Sequence, residues 1–254
     1  MRNRFWALTK KEFSSAWLKG LICLAIALVT GITLPYAFHW LGGLYLPSQL
    51  PGSLRQALDA QLQNYTLFLW SNWYGKNLLQ YMLVFALIFG APSLASEAAT
   101  GSIGYTLSRP FSRKQVLGAK FLASGAWLSL IAVISTLGLG VATWLYHQPV
   151  GWGLILRGLP GTLAGTLLAL AISFAFSAVV DDSIKAAIFS LAVLAALGWP
   201  AFVPGWARFS YLTYMAAAGP FAVPLWVWWG TGAVAASVVL LYLLALKLFV
   251  GRDY

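Results

Sequence analysis

The sequence predicts an all-α membrane protein: a bundle of six transmembrane helices, preceded by an amphipathic interfacial helix, with both termini in the cytoplasm. Of the 254 residues, 60% are hydrophobic and only 9% are charged, whereas soluble domains have about 45–50% and about 25%. The formal net charge is +10, but the basic residues separate apolar runs and form no exposed patch of the kind that nucleic acids require. We therefore expect the lipid bilayer, and no nucleic acid, as a partner.

The spans are predicted from the intervals between charged residues. A charge at the bilayer centre costs about 2.5–3.5 kcal/mol, and about twenty helical residues cross the hydrocarbon core. Six intervals of that length lack charges, and Gly, Pro and polar residues in the longest ones leave room for one helix each. The predicted spans are about 20–41, 77–96, 120–145, 158–180, 185–204 and 224–247, within a single transmembrane domain of residues 1–254.

The distribution of lysine and arginine predicts the orientation. With the N-terminus inside, four basic residues lie outside: Arg55, Lys76, Arg157 and Arg208. The other twelve lie inside: Arg2, Arg4, Lys10, Lys11, Lys19, Arg109, Arg113, Lys114, Lys120, Lys185, Lys247 and Arg252. Such a bias indicates cytoplasmic termini. Tryptophans gather near the predicted outer ends, as expected for rings in the headgroup layer.

An amphipathic helix is predicted at the N-terminus, within residues 1–19. Apolar residues occupy about half of its circumference and basic residues lie opposite, except that Glu12 falls on the apolar side. We expect this helix to lie on the inner membrane surface. The alternative is a positively charged anchor without a further role. The residues assigned to it are Phe5, Trp6, Lys10, Lys11, Phe13 and Trp17.

The fourth span carries small residues at a strict four-residue spacing. They are Gly161, Gly165, Ala169, Ser173 and Ser177. Small residues on one face let two helix backbones approach closely in a membrane. The pattern predicts a packing interface, within this chain or with a second copy, and we favour a contact within the chain.

A polar connection at residues 97–119 separates the second and third spans. Ser112, with Gln115 three residues later, predicts a capping box, so that a new helix begins at Arg113. The stretch before it, ended by Pro110, would expose apolar side chains to the cytoplasm and could dock a protein, or be an ordinary basic loop. Glu97 could pair with one of three cations: Arg109, Arg113 or Lys120.

The short connection before the fifth span has two acidic residues, Asp181 and Asp182. Asp182 or Ser183 could cap the helix that follows, since both residue types are preferred at that position. A carboxylate there would also favour the positive end of the helix dipole.

The 97–119 connection resembles the corresponding loop of ABC-2 type permease subunits. The resemblance consists of the pattern E-x3-G, then L, P-x-S-R and G-x-K. The matching residues are Glu97, Gly101, Leu107, Pro110, Ser112, Arg113, Gly118 and Lys120. The sequence Lys11-Glu12-Phe13 is similar to the K-E-F or R-E-F often found in the N-terminal helix of such permeases.

The resemblance implies a subunit of an exporter. This subunit would pair with a second copy or a similar permease in the bacterial cytoplasmic membrane. Two separate ABC ATPase subunits would bind ATP and Mg and push on a coupling helix in this loop. This chain itself would bind no cofactor: its only Gly-Lys, at Gly75, is not part of a phosphate-binding loop. The implied coupling residues are Glu97, Thr100, Gly101, Ile103, Tyr105, Leu107, Arg109, Pro110 and Arg113.

Three other functions compete with this interpretation. An intramembrane enzyme is disfavoured, because the predicted spans hold no central charge and the sequence has no H-E-x-x-H or G-x-S-x-G motif. One cysteine and two histidines also argue against a metal site. An ATP-independent carrier and a membrane anchor that recruits a cytoplasmic partner stay open as alternatives.

Overall fold

The computed structural model describes residues 2–42, 52–102, 111–216, 219 and 224–252, and these ranges contain helices and turns but no strand. Six segments are long and apolar enough to cross a membrane, which confirms the six-helix fold class. They are Trp17–Trp40, Tyr65–Ala99, Arg113–Leu145, Trp152–Ser177, Ser183–Phe202 and Leu225–Val250.

The described α-helices, in chain order, are α1 (Arg2–Ser15), α2 (Trp17–Gly42), α3 (Gly52–Gln63), α4 (Tyr65–Asn72), α5 (Leu78–Gly90), α6 (Pro92–Ala99), α7 (Arg113–Leu145), α8 (Trp152–Leu156), α9 (Leu159–Ser177), α10 (Ser183–Gly198), α11 (Tyr211–Met215) and α12 (Leu225–Val250). A π-helical turn at Trp73–Asn77 joins α4 to α5, so α4, α5 and α6 together form the second membrane segment.

Several helices extend beyond the charge-free intervals that predicted them. The third helix begins at Arg113, as the capping box predicts, whereas the predicted span begins only at about 120. With 33 residues, α7 is about 50 Å long, against a hydrocarbon core of about 30 Å. Charge-free intervals locate the apolar part of a helix, whereas capping residues determine where it begins. The N-terminal helix also ends earlier than the predicted residue 19: α1 ends at Ser15. Trp17, predicted to belong to that helix, is the first residue of α2.

Helix α9 lies at the centre of the bundle. In the segment that contains it, 72% of the most apolar stretch is buried, compared with 22–28% for the segments of α2, α10 and α12. It packs mainly against α12 and α5, while α7 packs against α2 and α1. The peripheral helices therefore present apolar surface outward, as a membrane protein requires.

The small-residue stripe of α9 faces other helices of the same chain. All five of its residues, Gly161, Gly165, Ala169, Ser173 and Ser177, are buried. A Cβ added to Gly90 would lie 2.5 Å from the Cβ of Ser173, so α5 approaches α9 closely at that point. The Ser177 hydroxyl accepts hydrogen bonds from the amides of Leu94 (2.9 Å) and Ala95 (3.0 Å). This face therefore supports packing within the chain.

Candidate functional site

Charged side chains join several helices at one end of the bundle, here called the basic end. It comprises α1, the end of α6, the start of α7, the 178–182 connection and the end of α12. The three salt bridges among the described residues all lie there. The predicted coupling loop connects α6 and α7 at this end.

The centre of the basic end is a three-residue group, the Lys120 cluster, formed by Lys120 of α7, Glu97 of α6 and Glu12 of α1. The Lys120 Nζ lies 2.7 Å from Glu97 Oε1 and 3.2 Å from Glu12 Oε2. The Lys120 side chain is only 9% exposed, and a buried ammonium is tolerated only when it is paired. The two carboxylates supply that pairing and join three helices. Of the three predicted partners of Glu97, the structure pairs it with Lys120.

The Lys120 cluster explains why Glu12 interrupts the apolar side of α1. On this side, Leu8 is buried with Val116 and Ala119 of α7, and Phe5 packs against them. Glu12 lies on the side that faces α7 because it binds Lys120. The other residues assigned to the interfacial helix divide by exposure: Phe5 and Phe13 are half-buried, and Trp6, Lys10, Lys11 and Trp17 are exposed.

A tryptophan holds the junction of α1 and α2 against α7. Trp127 Nε1 donates to the Phe13 carbonyl oxygen at 2.9 Å, and the two rings stack with centroids 4.6 Å apart. A Cβ on Gly20 would lie 2.5 Å from the Trp127 ring. Glycine is therefore required for α2 to approach α7 at this point.

The coupling loop leaves α6 through a glycine. Gly101 has a φ of +68°, a conformation that residues with a Cβ rarely adopt. Its amide donates to the Ala98 carbonyl oxygen at 3.1 Å, and the Thr100 hydroxyl donates to the Ser96 carbonyl oxygen at 2.9 Å. Glycine at this position is a common helix stop. Five predicted coupling residues lie outside the described residues: Ile103, Tyr105, Leu107, Arg109 and Pro110.

The loop enters α7 through the predicted capping box, which the structure confirms. The Gln115 amide donates to Ser112 Oγ at 3.3 Å, and the Ser112 amide donates to Gln115 Oε1 at 3.0 Å. The next residue, Arg113, donates from Nη1 to the carbonyl oxygens of Phe249 (3.2 Å) and Val250 (3.0 Å). A cation at the end of a helix satisfies carbonyls that have no partner within the helix. Arg113 therefore joins the start of α7 to the end of α12.

The 178–182 connection is fixed to the chain after α12. Arg252 donates to Asp181 Oδ2 at 2.6 Å and to the Ala178 carbonyl oxygen at 3.3 Å. Asp182 is the N-cap of α10, as predicted, and its Oδ1 accepts from the Ile184 and Lys185 amides at 2.7 and 3.0 Å. These hydrogen bonds hold the pKa of Asp182 below its usual value.

The sequence matches the ABC-2 family transporter proteins over residues 6–222. The chain belongs to the ABC-2 transporter family. It is therefore a membrane permease component of an ABC transporter, a type of component without a nucleotide-binding domain. With its six apolar helices, this ABC-2 permease is a multi-pass membrane protein. A comparison with curated proteins finds no match.

The described residues of the loop pattern either end a helix, begin one or contact another helix. In this ABC-2 permease, Glu97 and Lys120 pair with each other, Gly101 ends α6, and Ser112 begins α7. Gly118 lies against α12, where an added Cβ would be 3.2 Å from the Tyr242 hydroxyl. The pattern therefore describes how the two ends of the loop are held. Sequence reasoning missed the roles of Glu12 and Asp181. Two signals for Glu12 were available: it breaks the apolar side of α1, and it lies in the Lys11-Glu12-Phe13 sequence that resembles other permeases.

Proposed function

We propose that this permease, acting as a single transmembrane domain, forms the pathway of an ATP-driven exporter as a dimer with a second copy or a similar permease. Two ABC ATPase subunits bind the basic end and supply ATP and Mg²⁺. The basic end then faces the cytoplasm of a bacterium, with both termini on that side. The family membership and the excess of Lys and Arg at that end support this proposal.

The observation that carries the coupling role is the Lys120 cluster. The loop between α6 and α7 is attached at its first end by Glu97 and at its second by the capping box and Arg113. A force on the loop therefore acts on α7, a continuous helix of 33 residues. Through Glu12 and Trp127 the same force acts on α1 and the start of α2.

In this mechanism, closure of the ATPase pair on nucleotide displaces the loop, and α7 tilts as a rigid body. Such rigid-body motion is a common way to convert a local displacement into a change between two packed states. Because α7 packs mainly on α2, the tilt moves the first and third membrane segments together. We expect this motion to open and close the pathway.

The test is reconstitution of the permease with its ATPase subunits, comparing wild type with Glu97→Gln. We expect the variant to assemble with the ATPase but to lose most nucleotide-stimulated transport, because the neutral amide no longer pairs with Lys120. Asp59→Asn on α3 is the matched control, since it makes the same chemical change far from the Lys120 cluster. Unchanged transport in Glu97→Gln would remove the coupling role.

The same experiment separates the alternatives. An ATP-independent carrier would transport solute without the ATPase subunits. A membrane anchor would bind the ATPase and transport nothing. Either result would overturn the proposed function.

A further inference from the structure

We propose that a polar cavity beside the Lys120 cluster binds the headgroup of a zwitterionic aminophospholipid. The ammonium group of the lipid would bind Glu97, and its phosphate would bind Lys19. This site goes beyond the transport function and requires only that the basic end lies in the headgroup layer. Headgroups of this class carry a primary ammonium two carbons from a phosphate ester.

The cavity has a volume of about 230 Å³ and lies between α1, α2, the junction of α5 with α6, and α7. Its polar wall contains Glu12, Lys19, Ser93, Glu97, Lys120 and Ser124. It is much larger than the space that one water molecule needs. Two exposed serines, Ser15 and Ser96, also line it, so the cavity reaches the surface.

Two buried oxygen atoms on residues of this wall have no hydrogen-bond partner among the described residues. They are Glu97 Oε2 and Ser93 Oγ. Buried polar atoms in proteins are nearly always paired, so both are unusual. Ser93 and Glu97 are four residues apart and lie on the same side of α6. Both residues line the cavity, and an ammonium group, which carries three N–H donors, would supply the donors that these oxygens lack.

Lys19 provides the opposite charge. Its Nζ lies 4.8 Å from the centre of the Phe89 ring, and it forms no salt bridge with a carboxylate of the described residues. Lysine is a common ligand for phosphate. The hydroxyl of Ser124, on the same wall, is a further donor.

Charge balance decides which ligand fits. Lys19 and Lys120 carry two positive charges, and Glu12 and Glu97 carry two negative charges, so the wall is formally neutral. A purely anionic or cationic ligand would leave one uncompensated charge in a poorly solvated site, which is costly. A zwitterion places one charge of each sign and keeps the site neutral.

The position of the cavity also fits a lipid headgroup. Lys19 is two residues after the start of α2, and Glu97 is two residues before the end of α6. The cavity therefore lies at the ends of two membrane segments. Trp6 and Trp17 are exposed on the adjacent helices, and exposed tryptophans are typical of the headgroup layer.

The experiment measures the binding of three lipids to the detergent-solubilised full chain: phosphatidylethanolamine, phosphatidylcholine and phosphatidylglycerol. Phosphatidylcholine has the same phosphate, but its quaternary ammonium has no N–H group. We expect phosphatidylethanolamine to bind about tenfold more tightly than the other two, the contribution of a hydrogen bond to a charged group. Equal binding of phosphatidylethanolamine and phosphatidylcholine would overturn the proposal.

Soluble phosphoethanolamine distinguishes a lipid from a free ligand with the same chemistry. We expect it to bind much more weakly than the lipid, because it lacks the acyl chains that bring the headgroup to the membrane surface. Binding as tight as that of the lipid would overturn the assignment to a lipid.

Two variants test the residues. Lys19→Gln should weaken the binding of all three lipids, because they share the phosphate. Ser93→Ala should reduce the preference for phosphatidylethanolamine, and because it removes only a hydroxyl without a partner among the described residues, its fold should be preserved. Lys247→Gln, on the exposed surface of α12, and Ser14→Ala, on the exposed side of α1, are matched controls, since neither residue lines the cavity. A preference that persists in Ser93→Ala, or lipid affinities that are unchanged in Lys19→Gln, would overturn the site. Because binding is measured without ATP, loss of ATPase coupling with intact lipid preference would contradict only the transport function.

Discussion

Lys120 and Glu97 are 23 positions apart in the chain, yet their side chains meet at 2.7 Å. This contact closes the base of the loop between α6 and α7. Because Lys120 also binds Glu12, the same contact includes the N-terminal helix. The ends of the loop therefore cannot move independently of each other or of α1, which is what a mechanical connection to another subunit needs.

The first prediction concerns the energy of this contact. In a double-mutant cycle of Glu97→Gln and Lys120→Gln, we expect a coupling free energy of about 1–3 kcal/mol, because one partner left alone is a poorly solvated, unpaired charge. Lys120→Gln should destabilise the protein more than Glu97→Gln, since it leaves two carboxylates close together without a cation. Thermal unfolding in detergent micelles measures both. Strictly additive effects would contradict the interaction.

The second prediction concerns the glycine that ends α6. Gly101 has a positive φ, and no described atom lies within 4 Å of an added Cβ, so we expect the backbone conformation to be what resists substitution. We expect Gly101→Ala to cost about 1 kcal/mol, Gly101→Asn to cost less and Gly101→Val to cost more. Unfolding measurements on the three variants give this order. Equal stabilities would show that the left-handed conformation does not matter for α6.

The third prediction concerns the approach of α2 to α7. Gly20→Ala places a methyl group against the Trp127 ring, and such overpacking costs about 1–3 kcal/mol. Gly232→Ala is the matched control in α12. Within the described part of the chain nothing lies within 4 Å of its added Cβ, and the change should stabilise the helix by about 0.5–1 kcal/mol. Equal effects at the two sites, measured by thermal unfolding, would contradict the close contact.

The sequence predicted the parts of the fold that follow from the cost of charge in a membrane. The six spans and the Asp182 and Ser112 caps depend on local chemistry, so they could be predicted from nearby residues. The partner of Glu97 could not, because three cations were equally available along the chain. Only the packing of α6 beside α7 selects Lys120.

Other features depended on contacts between distant segments. The π-helical turn at Trp73–Asn77 buries Trp73, whose Nε1 donates to Thr136 of α7 at 3.1 Å, and no periodicity in the sequence marks it. The pairing of Asp181 with Arg252 joins residues 71 positions apart. Glu12 was visible as an exception to the apolar pattern and as part of the Lys11-Glu12-Phe13 resemblance, but neither identified Lys120 as its partner. Exceptions to a pattern are expected at functional sites.

The last prediction concerns pH and the N-cap of α10. The amides of Ile184 and Lys185 stabilise the ionised form of Asp182, so its pKa in the folded protein is below the usual 3.8. A carboxylate with a lowered pKa stabilises the fold fully above the pKa that the same group has in the unfolded chain. This contribution disappears as the pH falls through the pKa of the folded protein.

Asp182→Asn keeps an acceptor for the amides but cannot titrate. The unfolding midpoints of wild type and Asp182→Asn should therefore differ most above about pH 5 and converge as the pH falls below 3.8. Comparing the two proteins cancels the other carboxylates, which titrate in both. A difference that stays constant from pH 6 to the acid limit would show that the charge of Asp182 does not stabilise α10.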